Sequence, residues 1–199
     1  MFEGLNPPYK VILADCPWHY RDKRKGNGGA ADHYSLLKTW DLIKMPVGKL
    51  ADQDAMLFMW ATDPNLLEAL EVMNAWGFPY KTQAFTWVKF YKGLQKPVFG
   101  LGQYTRANAE VCLLGLKGRR WRASNSVSSL IMSERGRHSE KPAEARSRIE
   151  RLCGDVPKVE LFARERVPGW SSWGQGLPPV EPVTSAVTTD EVERETANG

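Results

Sequence analysis

Residues 10–18 read KVILA followed by DCPW, an apolar run closed by an acid, a cysteine, a proline and a tryptophan. Lys10–Ala14 is too apolar to be half exposed, which predicts a strand covered on both faces, as in a parallel sheet. Pro17 cannot donate to a ladder and stops it. Outward from here, short apolar runs alternate with helix-period segments, the pattern of an α/β fold with a mostly parallel central sheet. Ala55–Trp60 (AMLFMW) predicts a second strand, after which Asp63 and Pro64 suit the N-cap and first position of a helix. The buried stripe of that helix is expected at Leu66, Leu67, Leu70, Val72 and Met73, with Gly77 as its stop. Further strands are expected at Ala84–Phe90, Ala109–Gly115 and Val127–Met132. No clear helix separates the last two, so part of this region is expected to be antiparallel. Pro142–Cys153 predicts a helix with Ala145, Ile149 and Leu152 on one face and Gly154 at its end, and Lys158–Ala163 predicts a final strand.

A chain of 199 residues with 42% hydrophobic content can bury one sizeable core. It holds no uninterrupted apolar run of the ~18 residues that span a bilayer, and its first ten residues do not read as a secretory signal. Cys16, Cys112 and Cys153 are odd in number and far apart, which gives neither a zinc pattern nor a disulfide framework. No metal site and a reducing, cytoplasmic setting are therefore expected. The net charge of +4 is uneven, because residues 177–199 carry five acids against Arg194 alone, leaving +8 on the first 176 residues. That surplus gathers at Arg21/Lys23/Arg24/Lys25, at Lys117/Arg119/Arg120/Arg122, and at Arg135/Arg137 with Lys141. Such a body suits a polyanion, although scattered surface charge reads the same way. Tyr20–Asp32, with four cations and three glycines, is too polar to pack and is expected to form a loop beside the 15–18 motif. The acidic segment 177–199 is expected to lack order, leaving one domain over 1–176.

Ligands of open α/β sheets bind outside the carboxyl ends of the strands, where Asp15-Cys16-Pro17-Trp18 is placed. A carboxylate and a neighbouring backbone carbonyl suit one task in particular. The lone pair of an exocyclic amine on a purine is delocalised into the ring. Two acceptors gripping its two hydrogens would turn that lone pair toward an electrophilic methyl group. Asp15 and the carbonyl of Cys16 could be those acceptors, with Pro17 stiffening the turn and Trp18 offering a face for the base. Positioning would then supply most of the catalysis, with no metal and no nucleophilic residue. Taken alone, the same four residues also read as a turn whose tryptophan packs in the core.

Eight stretches in order extend the pattern: VILADCPWHY (11–20), HYS (33–35), LFMWAT (57–62), AWGF (75–78), WVK (87–89), EVCLLGLKG (110–118), HSEKPAEARSRIERL (138–152) and VELFARERVPGWSSWG (159–174). With these, residues 9–176 resemble the MT-A70 family of adenine-N6 methyltransferases. The resemblance implies a Rossmann-like class I methyltransferase fold, helices on both sheet faces, S-adenosylmethionine as cofactor, and the motif ahead of the cofactor-binding strand. It implies a catalytic set of Asp15, Cys16, Pro17 and Trp18. Asp15, Ser139, Lys141, Phe162, Arg164 and Gln175 would bind the cofactor, with Lys141 on its carboxylate beside a helix N-terminus. Tyr34, Trp60, Lys89 and Glu110 would surround the acceptor base, with Trp60 and Lys89 flanking it once flipped out. The family's usual tetrapeptide is Asp-Pro-Pro-Trp, so Cys16 departs from it. His19 would line the pocket, whereas His33, His138, Glu160, Trp170 and Trp173 read as structural or packing residues. DNA is the expected polymer, in a bacterial cell or phage-infected host. RNA methylation and a catalytically silent nucleic-acid-binding subunit are the alternatives, and a homo- or heterodimer is compatible with either. The 20–32 loop and the KGRRWR segment at 117–122 are expected to hold phosphates.

Overall fold

The computed structural model describes residues 1–19, 36–100, 102, 104–136, 140–175 and 177. The expected loop over Tyr20–Asp32, and Tyr34, His33, His138 and Ser139, therefore lie outside the described residues, as does nearly all of the acidic segment after 177.

Seven strands form one sheet: β1 (Tyr9–Ala14), β2 (Ala51–Ala61), β3 (Tyr80–Phe90), β4 (Ala109–Lys117), β5 (Leu130–Glu134), β6 (Lys158–Leu161) and β7 (Ser171–Trp173). Their spatial order is β5-β3-β4-β2-β1-β6-β7. β1 is central, pairing in parallel with β2 and β6, as its apolar run requires. β6 pairs in parallel with β7, and β3 with β5. β4 is antiparallel to both its neighbours, β2 and β3, so it alone runs against the rest. The antiparallel element expected near residues 109–132 is thus β4, but its partners are β2 and β3 rather than β5.

Among the described residues three α-helices complete the layers: α1 (Thr39–Ile43), α2 (Leu66–Ala75) and α3 (Ala143–Cys153). Alternation along the strands sends their residues to two cores. Ile12, Leu57 and Met59 pack with Leu42, Val72, Met73 and Trp76 under α1 and α2. Val11, Leu13, Phe58 and Phe85 pack with Ala145, Ile149 and Cys153 of α3 on the other face. Trp76 ties the first layer together, its Nε1 donating to the carbonyl of Leu42 over 2.7 Å. Cys16, Cys112 and Cys153 are all buried and unpaired.

α2 differs from its expected register. A 3-10 turn at Asp63–Asn65 precedes it, and Asp63 makes no side-chain cap. Ala69, Val72 and Met73 face the core, while Leu66 is exposed and Leu67 is 78% exposed. A turn of three residues per repeat shifts the phase of the helix it feeds. The large side chains of Trp76 and Phe78 then fix which face turns inward. Gly77, at φ +85, ends α2 as expected.

Candidate active site

Asp15 leaves the carboxyl end of β1 on the α3 side of the sheet, where Lys141 reaches it from just ahead of α3. Lys141 Nζ lies 2.8 Å from Asp15 Oδ1 and 3.0 Å from Oδ2. The same ammonium is 3.4 Å from Glu110 Oε2, and Glu110 Oε1 accepts a hydrogen bond from Lys89. Because β4 is reversed, Glu110 sits at its first turn of ladder yet at the carboxyl end of every neighbouring strand. Four of the expected site residues therefore form one chain of alternating charge: Asp15, Lys141, Glu110, Lys89.

The electrostatics follow from that alternation. Burial alone would lower the pKa of Lys141, but Asp15 and Glu110 outweigh it and hold the ammonium above its usual range. Burial alone would raise Glu110, but Lys141 and Lys89 outweigh it and hold the carboxyl below its usual range. Glu110 Oε2 is buried without a hydrogen-bond partner among the described residues, so the network has an acceptor to spare. Beside Lys141 opens a cleft of about 330 Å³, walled by Trp87, Ser133, Glu134, Glu140, Lys141 and Pro142.

The motif is held by its own backbone. Trp18 N–H donates to the carbonyl of Cys16 over 2.9 Å, a tight turn that Pro17 favours. That carbonyl keeps a second lone pair. The thiol of Cys16 packs in the α1/α2 core, and burial followed by the Asp15 charge pushes its pKa well up. It stays protonated and is no competitor for an electrophile.

Two expected stacking faces are not available in this structure. Trp18 is 5% exposed and its Nε1 donates to the carbonyl of Trp60 over 3.1 Å. It bolts the motif to the end of β2 rather than offering a face. Trp60 is 1% exposed, with Lys141 Nζ 5.9 Å from its ring centre. It supports the ammonium from below. Trp87 was not singled out as a site residue, yet it walls the cleft, meets Trp60 edge-on at 6.3 Å and donates from Nε1 to Ser133 Oγ over 2.8 Å. Its signal was the WVK stretch, in which Trp87 and Lys89 necessarily share a strand face.

At the neighbouring end of β6, Phe162 adopts a left-handed backbone, φ +61, uncommon for a bulky residue and worth a functional question. Its ring packs edge-on against Trp173 at 5.6 Å. Arg164 and Gln175 are exposed nearby in sequence, after β6 and β7. Glu160 is clamped by Arg146, whose Nε lies 2.9 Å from Oε2, so it is a structural anchor of α3 on β6. Trp170 is buried and donates to Glu150 Oε1, a packing role. His19 is exposed after the motif. The KGRRWR segment is displaced from the site. β4 carries it to the opposite end of the sheet, where Arg119 N–H donates to Asp54 Oδ1 near the start of β2. Any phosphates held by this segment, as expected from its charge, would lie away from the motif.

A mostly parallel sheet with helices on both faces, and a charged constellation at the carboxyl ends of β1 and β3 and the start of β4, define a Rossmann-like α/β protein with its candidate site at the sheet's carboxyl edge. More narrowly, this chain belongs to the MT-A70 family, whose model matches residues 9–176. It is 34% identical over 189 residues to the Type II methyltransferase M.MunI of Mycoplasma sp, covering 85% of this chain and 78% of that protein. It is 29% identical over 188 residues to a probable N(6)-adenosine-methyltransferase MT-A70-like protein of Oryza sativa subsp. japonica, covering 84% of this chain and 26% of that one. It is also 28% identical over 174 residues to the human N(6)-adenosine-methyltransferase catalytic subunit METTL3, covering 85% of this chain but 28% of that one. The chain thus spans most of the Mycoplasma relative and about a quarter of the other two.

Proposed function

We propose that the protein is an S-adenosylmethionine-dependent methyltransferase that acts on N6 of adenine in DNA. The observation that carries the reading is the clasp of Asp15, Lys141 and Glu110 at the sheet's carboxyl edge. Membership of the MT-A70 family supports the chemistry. DNA is favoured because the relative sharing most of its length with this chain is named a Type II methyltransferase. The two adenosine methyltransferases share only their matching quarter.

The donor set fits such a cofactor. Lys141 offers a cation for its carboxylate, Asp15 a carboxylate for its ammonium, and Gln175 a polar end group near β7. Phe162 offers an aromatic edge. When bound, the cofactor supplies an activated methyl group on a sulfonium. The residues of the chain do the positioning. Asp15 and the free lone pair of the Cys16 carbonyl accept the two N6 hydrogens, turning the nitrogen lone pair out of the ring plane. Trp18 and Pro17 hold that carbonyl still, and Trp60 holds Lys141 over its place. Lys89 and Glu110 brace Lys141, which lines the cleft in which the base is held. A base within a duplex cannot reach this cleft, so it must be extruded or offered as a single strand. The buried unpaired cysteines suit the cytoplasmic setting proposed for it.

The test is to incubate the protein with methyl-labelled S-adenosylmethionine and either DNA or RNA, then identify the modified nucleoside. N6-methyldeoxyadenosine is the expected product. Label on RNA alone would replace DNA by RNA, and cofactor binding without transfer to either would make the chain a silent subunit.

A further inference from the structure

We infer that the excursion between β3 and β4 is the surface that docks the polynucleotide strand beside the acceptor cleft; this rests on the reading of a nucleic-acid substrate above. β3 ends at Phe90 and β4 begins at Ala109, and the reversal of β4 puts both at the end of the sheet that carries Asp15, Glu110 and Lys141. The described residues of 91–108 therefore border the cleft. KGRRWR does not.

The segment is built rather than slack. Val98 N–H donates to the Lys89 carbonyl over 2.8 Å, and Tyr91 N–H to the Lys96 carbonyl over 3.0 Å. Gly100 and Ala107 exchange hydrogen bonds of 2.9 and 3.3 Å, and Asn108 Nδ2 donates to the Val98 carbonyl. Glu134 anchors it to β5 by accepting from Gly93 N–H over 2.8 Å. What this scaffold displays is one-sided. Between residues 91 and 109 the sequence has Lys92, Lys96 and Arg106 and not one Asp or Glu. All three cations are exposed, and none is ion-paired among the described residues. Arg135 joins them from the end of β5, its guanidinium 5.5 Å from the ring of Tyr91. Among the acids beside it, Glu134 is engaged by Gly93 and Glu110 by the two lysines of the site, while Glu140 and Glu144 line the neighbouring cleft, Glu144 paired with Arg148.

Between the cations stand large apolar side chains in water: Tyr104 is fully exposed, Phe99 is 61% exposed, and Leu94 is exposed too. Unpaired cations interleaved with exposed aromatics on an ordered backbone match a strand that offers both phosphates and open base faces. Nucleotides flanking an extruded adenine are such a strand, in DNA or RNA alike. Protein interfaces also bury aromatic rings but are depleted in lysine, so the interleaving of Lys92 and Lys96 with Phe99 and Tyr104 favours the strand.

The experiment is fluorescence anisotropy of the full chain with a labelled adenine-containing single-stranded oligonucleotide, in DNA and RNA versions, across a salt series. Lys92→Ala/Lys96→Ala/Arg106→Ala should weaken binding by about 10- to 100-fold at low salt and reduce the slope of log K against log salt by about 2. Phe99→Ala/Tyr104→Ala should weaken it by roughly 10-fold with the slope unchanged. Arg119→Ala/Arg120→Ala/Arg122→Ala, at the far end of the sheet, should bind within about twofold of wild type. Equal loss for both polymers supports shared recognition of the strand. The proposal is overturned if the hairpin variants keep wild-type affinity and slope, or if the far-end variant carries the loss. It is equally overturned if the hairpin variants alter only the mass in solution, which would make this a protein interface. Wild type that methylates DNA while hairpin variants bind normally sinks this inference alone. Wild type that neither binds nor methylates any polynucleotide sinks the functional reading with it.

Discussion

Asp15 has two oxygens, both within 3.0 Å of Lys141 Nζ, and each keeps a lone pair with which to accept from an amine. Glu110 eases any shift of the lysine that such an amine requires. Its Oε2, 3.4 Å from the same ammonium and otherwise without a hydrogen-bond partner, can take the lysine as it moves. Asp15→Asn keeps the shape but loses one acceptor and the charge. Methyl transfer at saturating substrate should fall by at least about 10²-fold, the order found when one preorganised partner of a reacting group is removed. Oligonucleotide binding should survive, and near-wild-type turnover in Asp15→Asn would refute the assigned role. Cys16 makes a different case. On the proposed mechanism its contribution is a carbonyl, and its thiol is core. Cys16→Ser should therefore stay active within a few-fold while losing roughly 1–3 kcal/mol of stability, the cost of burying a hydroxyl with no partner. Measured together, kcat and the urea midpoint should separate the two effects; an inactive but stable serine variant would mean that the thiol acts in the chemistry.

Elements show where sequence reading succeeds and where it stops. β1 was legible because only a doubly covered strand tolerates Val11, Ile12 and Leu13 in a row, and the structure buries all three. The face of α2 was not. Leu66 and Leu67 look like core residues, but the 3-10 turn before them is set by tertiary packing that the helix period does not contain. The tryptophans were ambiguous for a related reason, since an indole at a strand end either stacks on a ligand or packs, and only burial decides. Trp18 and Trp60 pack. Asp15 and Lys141 could be joined across the intervening chain only through the family resemblance, because spacing says nothing about contact. The Arg146 clamp on Glu160 carries no motif at all. One close approach does yield a firm prediction. A Cβ on Gly115 would lie 2.8 Å from the Phe78 carbonyl oxygen and 2.9 Å from its Cβ, where β4 passes the end of α2. Gly115→Ala should cost about 1–3 kcal/mol by overpacking, read from the shift in thermal or urea midpoint. An unchanged midpoint would show that this crossing has slack.

Across the whole molecule the charge chain sets a pH window. Glu110 is depressed on folding, so its stabilisation is complete above its unfolded value of roughly 4.3 and is lost as pH falls through the lower folded value. Lys141 is raised, so its share is complete below its unfolded value of about 10.4 and is lost as pH rises through the higher folded value. These two groups should contribute a flat stability between about pH 5 and 10, with Glu110→Gln flattening the acid limb in a urea-midpoint series. Identical acid limbs in the two proteins would remove Glu110 from the account.

The reversed strand has a last consequence, one of heredity rather than energy. Since β3 and β4 are neighbours and Val88 lies opposite Ala109, the two ends of the 91–108 excursion enter and leave the sheet side by side. A segment mounted that way can lengthen, shorten or be exchanged between lineages without re-threading the core, because closing a longer loop costs little. On the proposed reading, catalysis and strand binding can then drift at separate speeds, the first on β1 and the start of α3, the second on a detachable finger. Grafting a relative's finger between Phe90 and Ala109 should change how tightly a polynucleotide is held and how that affinity depends on salt, while leaving the methyl-transfer chemistry where it is.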